Sequence, residues 1–399
     1  MIFVFKLNKS KIILILLFLF LIIITNFNFL YNHFVYLIYD KSSLRIHSHF
    51  LNCQINAVAS DPSNKVYIKS VVKNSNGKIM PGAKIEITIE EGLGEILPAS
   101  KTTDEYGELL FVYTPPESHK IGEKKPLDVV IKSKIKGTDI YSTISFKLIP
   151  VPVVFVHGYQ ESSIIFDNMN EFLVSKGYNT LSIDFDSTKG VVFASNELKD
   201  FLKYKKLEFL KSGILANKFT LISHSLGGLV SRYYTSSEDY IENENVYKMI
   251  FLSVPHRGSH IASIGKNYFD DQSIKDLVPD NKLFSTTFYN MINEGLNPSI
   301  QIGNIYSQYD EVVTLESASL DEWNIKTEIF SVGENKFTMD NLLDGSILEA
   351  PNHKGILSNK KVFERIHQML NEKLDYPVDK KKELLRPFSI KMPINNVEN

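Results

Sequence analysis

A serine that is to act as a nucleophile needs a base within hydrogen-bond reach and a carboxylate to orient that base. The stretch from Lys218 to Val230 offers such a serine: a buried-strand run, Phe219 to Ile222, stops at Ser223-His224-Ser225-Leu226-Gly227, and a helix-like pattern follows. A sharp strand-to-helix turn of this kind, a nucleophile elbow, holds the serine oxygen clear of the backbone at a helix N-terminus. Small residues must flank the nucleophile because the turn leaves no room for side chains. Ser223 stands where the usual G-x-S-x-G spacing has its first glycine, and serine is the next smallest choice. A plain Ser/Gly turn is the competing reading, and the rest of the chain has to decide between them.

Partners for Ser225 are sought at strand ends. Asp310 follows directly on an apolar strand pattern and is the leading acid; Glu311, Asp340 and Asp344 are runners-up, with Asp321 weaker. A solvated loop acid is the alternative for each. The leading base is His353, on a loop ahead of the last helical pattern. His367 falls inside that helix and reads as structural, while His256 and His260 precede the acid in the chain. His224, inside the elbow, is expected to point away from the catalytic face. Upstream, His157-Gly158-Tyr159 closes the apolar run Val153 to Val156; the glycine lets backbone approach a substrate, and the Tyr159 N–H can pair with the Leu226 N–H as an oxyanion hole. For His157 the alternative is an ordinary turn histidine. His119 is isolated, and Cys53 reads as incidental.

The elements that must position these residues change character along the chain. From Ala57 to Ile149 the hydrophobic period is two, as in Ile85, Ile87 and Ile89, with turn residues at Pro81-Gly82 and Lys136-Gly137. Short strands at this spacing predict an antiparallel sandwich. Pro150-Val151-Pro152 marks a boundary, after which strands and helices alternate. Strands are expected at 153–156, 180–185, 219–222, 249–254, 300–306 and 327–332, and a terminal helix through Val362, Ile366, Met369 and Leu370. That pattern predicts a mostly parallel sheet covered on both faces, with active groups at the strands' carboxyl ends. The expected division is therefore an apolar anchor (1–40), a linker (41–56), a β-sandwich (57–149), an α/β domain (150–376) and a polar, mobile tail (377–399).

Composition narrows the function. A net charge of -2 over 399 residues gives no basic face for nucleic acid. One cysteine excludes an intrachain disulfide and a multi-cysteine metal site. No cofactor motif and no metal-ligand set is legible. Lys6, Lys9 and Lys11 precede the unbroken apolar run Ile12 to Ile24, which continues less purely to about Tyr39. No small-x-small cleavage site follows closely, so an uncleaved signal anchor is expected over a cleaved signal, with the remainder exported. Localisation is then on a membrane with the α/β domain on the extracytoplasmic side, or secreted if the segment is removed.

Two resemblances add to this reading. The strings V-F-V-H-G-Y, S-H-S-L-G-G-L-V-S-R-Y, V-P-H-R-G-S, Y-D-E-V-V-T-L-E-S-A and N-H-K-G-I-L together resemble the lipase and esterase branch of the α/β-hydrolases, over roughly Pro150 to Leu374. The resemblance implies a triad of Ser225, Asp310 and His353, with the order serine, acid, histidine met. It also implies a lid at about 259–299 and carboxylic acyl esters or lipids as substrates. Asn76-Gly77-Lys78, Pro81-Gly82-Ala83-Lys84-Ile85 and Thr102-Thr103-Asp104-Glu105-Tyr106-Gly107 resemble bacterial Ig-like domains of the invasin and intimin type, which implies a spacer or a contact with cell-surface components. The alternatives are a deacylase or acyltransferase acting on a lipidated glycan or protein, and an adhesion protein with an inert hydrolase fold.

Overall fold

Continuous apolar runs and alternating ones sort the chain into two architectures. The computed structural model describes residues 41–51, 53–121, 126–333 and 350–380, together with Ile13 and residues 16–18. Two compact units result: Met1–Pro116 with Pro126–Leu148, and Glu117–Lys125 with Ile149–Asn399. The apolar run expected as an anchor lies almost wholly outside the described residues; among those, no helix is long and apolar enough to cross a membrane.

The first unit is built from β1 (Leu44–Phe50), β2 (Ala57–Ala59), β3 (Val66–Asn74), β4 (Lys84–Glu91), β5 (Glu95–Leu97), β6 (Ser100–Thr102), β7 (Glu108–Thr114), β8 (Leu127–Ile135) and β9 (Tyr141–Ile149). One sheet runs β1-β3-β7-β5, and in a second β2, β9, β8, β4 and β6 follow one another. Alternation does the folding here: Val66, Ile68, Ser70 and Val72 of β3 are buried while the residues between them are not. Phe111 and Tyr113 of one sheet and Val129, Ile131 and Phe146 of the other are buried, and the Tyr113 and Phe146 rings pack edge to face at 5.1 Å. The stretch 41–56, expected as linker, contains β1, paired along its whole length with β3. Its inward positions are Leu44, Ile46 and Ser48, and the polar Ser48 breaks the apolar alternation that would have marked a strand. That serine is satisfied by Ser70, at 2.8 Å, which in turn donates to Ser133.

The second unit carries a parallel sheet of β10 (Val153–Val156), β11 (Thr180–Ile183), β13 (Phe219–His224), β14 (Val246–Leu252), β15 (Gln301–Gln308) and β16 (Thr327–Ser331), in the order β11-β10-β13-β14-β15-β16; β12 is the two-residue Ile214–Leu215. Every residue of β10 and β13 is buried, because helices cover both faces. Leu198 and Leu202 of helix Val191–Lys211 and Leu229 and Val230 of helix Leu226–Ser236 pack on one face. Met169 and Leu173 of helix Asp167–Ser175 pack on the other, with Phe363, Ile366 and Met369 of helix Lys360–Asn371. The chain leaves β10 for β11 on one side and returns to β13 on the other. The carboxyl ends of β10 and β13 thus meet at a topological switch point, where open α/β sheets hold their ligands. This is an α/β-hydrolase-like arrangement.

Polar residues inside this unit anchor its ends. Lys248 of β14 is fully buried, and its Nζ donates to the carbonyls of Met369 at 2.9 Å and Glu372 at 2.5 Å, closing the C-terminus of the last helix. The segment after Tyr376, expected as a mobile tail, is held through Lys380. Val378 N–H donates to the Trp323 carbonyl, and Lys380 bridges Glu294 and Glu322 over the Trp323 ring. Residues 381–399 lie outside the described ones. Lys248→Met is expected to strand those helix-end carbonyls and cost about 1–3 kcal/mol. A denaturant titration of the variant would show it as a lower midpoint, and an unchanged midpoint would contradict the anchoring role.

Candidate active site

The elbow forms because β13 runs out at His224 and the following helix begins at once. Ser225 sits between them at φ 50 and ψ -126, a strained conformation for a residue with a side chain. A Cβ on Gly227 would stand 2.4 Å from the Val156 carbonyl oxygen and 2.5 Å from that of His157. One on Gly228 would stand 2.2 Å from the Val254 side chain. Both glycines are therefore required by backbone approach. Ser223, in the place expected for a further glycine, is tolerated because its buried hydroxyl pairs with Ser231 of the same helix at 2.8 Å. Leu226 opens the helix, so its N–H has no partner within the helix.

His353 lies on the short helix Pro351–Gly355, and its Nδ1 is 2.8 Å from Asp310 Oδ2. Asp310 also accepts the N–H groups of Val312 and Val313 at 2.9 and 2.8 Å. Burial opposes the charge of Asp310, but His353, the Val313 N–H and Ser253 outweigh it and hold the carboxyl below the ordinary range. Burial likewise opposes protonation of His353, yet Asp310, then Glu161 and Glu311, raise its pKa above the usual histidine value. The neighbouring Glu311 does different work: its Oε1 accepts the Asn352 N–H at 3.0 Å, which pins the segment before His353. Asp321 is exposed on a one-turn helix, and Asp340 and Asp344 lie outside the described residues.

The remaining histidines separate clearly. His367 packs edge-on against Phe172 and Tyr178, and His260 is exposed at the start of helix His260–Gly265. His256 is buried beside Arg232. His157 is no plain turn residue: it is buried, stacked on Phe185 at 4.1 Å, and its Nε2 accepts the Phe185 N–H. His224 does not point away from the site. Its Nδ1 meets Glu161 at 2.9 Å and its Nε2 lies 3.2 Å from the His353 carbonyl oxygen. The face of β13 opposite Ser223 is simply roofed by other loops of the same site, which a local pattern cannot show. Glu161 was not singled out in the sequence, and its one signal is a lone acid in the turn after His157-Gly158.

Ser225, His353, Tyr159 and Glu161 line one cavity of about 290 Å³, whose other walls are mainly Pro255, Ile261, Ala262, Phe269, Ile274, Leu277 and Val312. The walls are apolar and the polar groups converge at one end, the usual layout of a small-molecule site. Tyr159 is latched to the wall by its hydroxyl, which donates to Asp271 at 2.5 Å; Asp271 also caps helix Gln272–Leu277. Among the described residues no three His, Cys, Asp or Glu side chains gather as a metal set.

No protein-family model and no curated protein matches the chain. Solved structures with related arrangements include bacterial lipases and Ig-like domains. A Bacillus licheniformis lipase in its mature form has a TM-score of 0.42 and 18% identity over 55% of this chain and 91% of that one. A phospholipase of Legionella pneumophila, in complex with thio-NAD, has a TM-score of 0.37 and 13% identity over 55% and 61%. The D00-D0 domain of intimin has a TM-score of 0.20 and 14% identity over 24% and 43%. Similarity at this level transfers no activity, so the chemistry rests on the side chains above.

Because the Asp310 charge holds up the His353 pKa, Asp310→Asn is expected to lower it. An NMR titration of the His353 ring would move to lower pH by about one unit or more. A titration that stays in place would mean that the contact between Asp310 and His353 at 2.8 Å is electrostatically idle.

Proposed function

We propose that the protein is a serine hydrolase that cleaves carboxylic acyl esters, with Ser225 as nucleophile, His353 as general base and Asp310 as its orienting acid. The observation that carries this reading is that His353, paired with Asp310 at 2.8 Å, lines the same apolar cavity as a serine held on a strained elbow. Ser225 Oγ attacks the ester carbonyl while His353 Nε2 takes its proton, and Asp310 stabilises the imidazolium that forms. The Gly158 N–H is committed to Glu161, so the oxyanion is assigned to the N–H groups of Tyr159 and Leu226. One such donor is worth about 3–4 kcal/mol. His353 then protonates the leaving alcohol, and water repeats the sequence on the acyl-enzyme.

The cavity walls favour an apolar acyl group, and their outer rim supports a lipid-like ester. Ile261 and Phe269 line the cavity and are about half exposed, and Ile264 and Tyr268 beside them are 64% and 80% exposed. At about 290 Å³ the cavity stands at the small end of ligand pockets, which supports short or medium acyl chains over long ones. An extracytoplasmic, membrane-anchored location belongs to the same proposal, on the strength of the lysines and the apolar run at the N-terminus. So does a cell-surface contact made by the sandwich.

A fluorophosphonate probe should label the wild-type chain and leave Ser225→Ala untouched. Turnover of a p-nitrophenyl ester should fall at least about 10⁴-fold in that variant. Undiminished hydrolysis by Ser225→Ala would refute the assignment. Across a chain-length series, kcat/KM is expected to peak at short to medium acyl groups; a monotonic rise to long chains would refute the pocket argument alone.

A further inference from the structure

Three segments must keep register around Ser225: the loop after β10, the elbow, and the segment that carries His353. One buried pair touches all of them. Glu161 Oε2 accepts the Gly158 N–H at 2.7 Å and faces His224 Nδ1 at 2.9 Å. The other nitrogen of His224 lies 3.2 Å from the backbone carbonyl oxygen of His353, and the two rings are 4.6 Å apart. The His224 and Glu161 side chains are 0% and 6% exposed. A carbonyl oxygen and an ionised carboxylate only accept hydrogen bonds. An imidazole that satisfies both therefore carries a proton on each nitrogen. A cationic ring at this place has the Glu161 carboxylate against it as counter-ion.

Glu161 is ionised in its turn. Burial opposes its charge, but His224, His353 and the Gly158 N–H outweigh burial and hold the carboxyl at about 2. The proton-transfer scheme above uses neither residue.

We propose that Glu161 and His224 form a charged positioning pair, a carboxylate–imidazolium bridge that keeps the oxyanion loop and His353 in register with Ser225 and sets the charge felt by the His353 ring. The inference rests on the serine-hydrolase reading and deepens it. The charged groups around His353 are Asp310 and Glu311 from the segment after β15, Glu161 from the loop after β10, His224 from the elbow and its chain neighbour Lys354. Removing a negative neighbour makes His353 easier to deprotonate, and removing a positive one makes it harder.

The test follows the pH dependence of fluorophosphonate labelling of the full chain, whose acid limb reports loss of the His353 proton. Glu161→Gln keeps the shape and removes the negative charge; labelling should slow about 10- to 100-fold and its acid limb should move down by about one pH unit. His224→Gln removes the positive charge, and its limb should move up. In the double variant the limb should return towards the wild-type position while labelling stays slow. A pair that serves only to fill space would slow labelling without moving the limb. That result, or shifts of the same sign in both variants, overturns the proposal. Should Glu161→Gln fail to fold, the sign of the His224→Gln shift decides. A wild-type chain unlabelled at every pH overturns the serine-hydrolase reading and this inference with it. A labelled wild type with unmoved limbs in the variants overturns only the positioning pair.

Discussion

The contact on which the site depends is the approach of the helix after Ser225 to the ends of β10, close enough that a Cβ on Gly227 would stand 2.4 Å from a backbone oxygen. At that separation the turn has room for no side chain, and Ser225 is driven to a positive φ. The same closeness brings the first N–H of the helix beside the His157-Gly158-Tyr159 loop. It also sets Ser225 at the switch point of the sheet, where neither neighbouring strand's crossover covers the crevice. Val254, on the far side, meets Gly228 and closes the helix against the next strand. Strain at Ser225 is thus maintained by packing from both flanks.

Around this centre the second unit holds its irregular segments with buried charges directed at backbone carbonyls. Arg232, fully buried, donates to the carbonyls of Gly295 and His256 at 3.0 Å and lies between the Phe288 and Trp323 rings. Burial lowers its pKa to about 9, which leaves it charged at neutral pH. It secures both the loop after β14 and the left-handed turn at Asn293 and Glu294. Lys248 does the same for the last helix, and the Glu161–His224 pair for the loops around the nucleophile. Each is a long or ionic side chain satisfying groups that no regular ladder reaches.

The wall of the cavity is tied to the same framework. Asp276 accepts the Val191 N–H at 2.8 Å and Ser273 accepts that of Gly190 at 2.9 Å, so helix Gln272–Leu277 is fastened to the start of the long helix Val191–Lys211. Tyr159 joins that helix to the loop after β10 through Asp271. Helix His260–Gly265, by contrast, presents Ile261 and Ile264 outward. One wall is thus fixed by hydrogen bonds, and the rim beside it is apolar and exposed.

The strands of the parallel sheet were legible from the sequence, because runs buried on both faces are mostly apolar: Val153–Val156 without interruption, and Phe219–Ile222 with Thr220 as its one polar residue. The sequence also determined the elbow, because backbone approach admits only glycine at 227 and 228. Asp310, directly after a strand pattern, and His353, on a loop ahead of the last helix, were legible as candidates, and the family resemblance paired them with Ser225. Tertiary structure alone decided the rest. Strand β1 was hidden because Ser48 is buried against another serine rather than against apolar atoms. The residues after Tyr376 read as a solvated tail, yet Lys380 finds Glu294 and Glu322 across the fold. His224 and Glu161 meet across 63 positions of chain. No local period or spacing encodes such a contact, because it exists only once the sheet has brought the loops after β10 and β13 side by side.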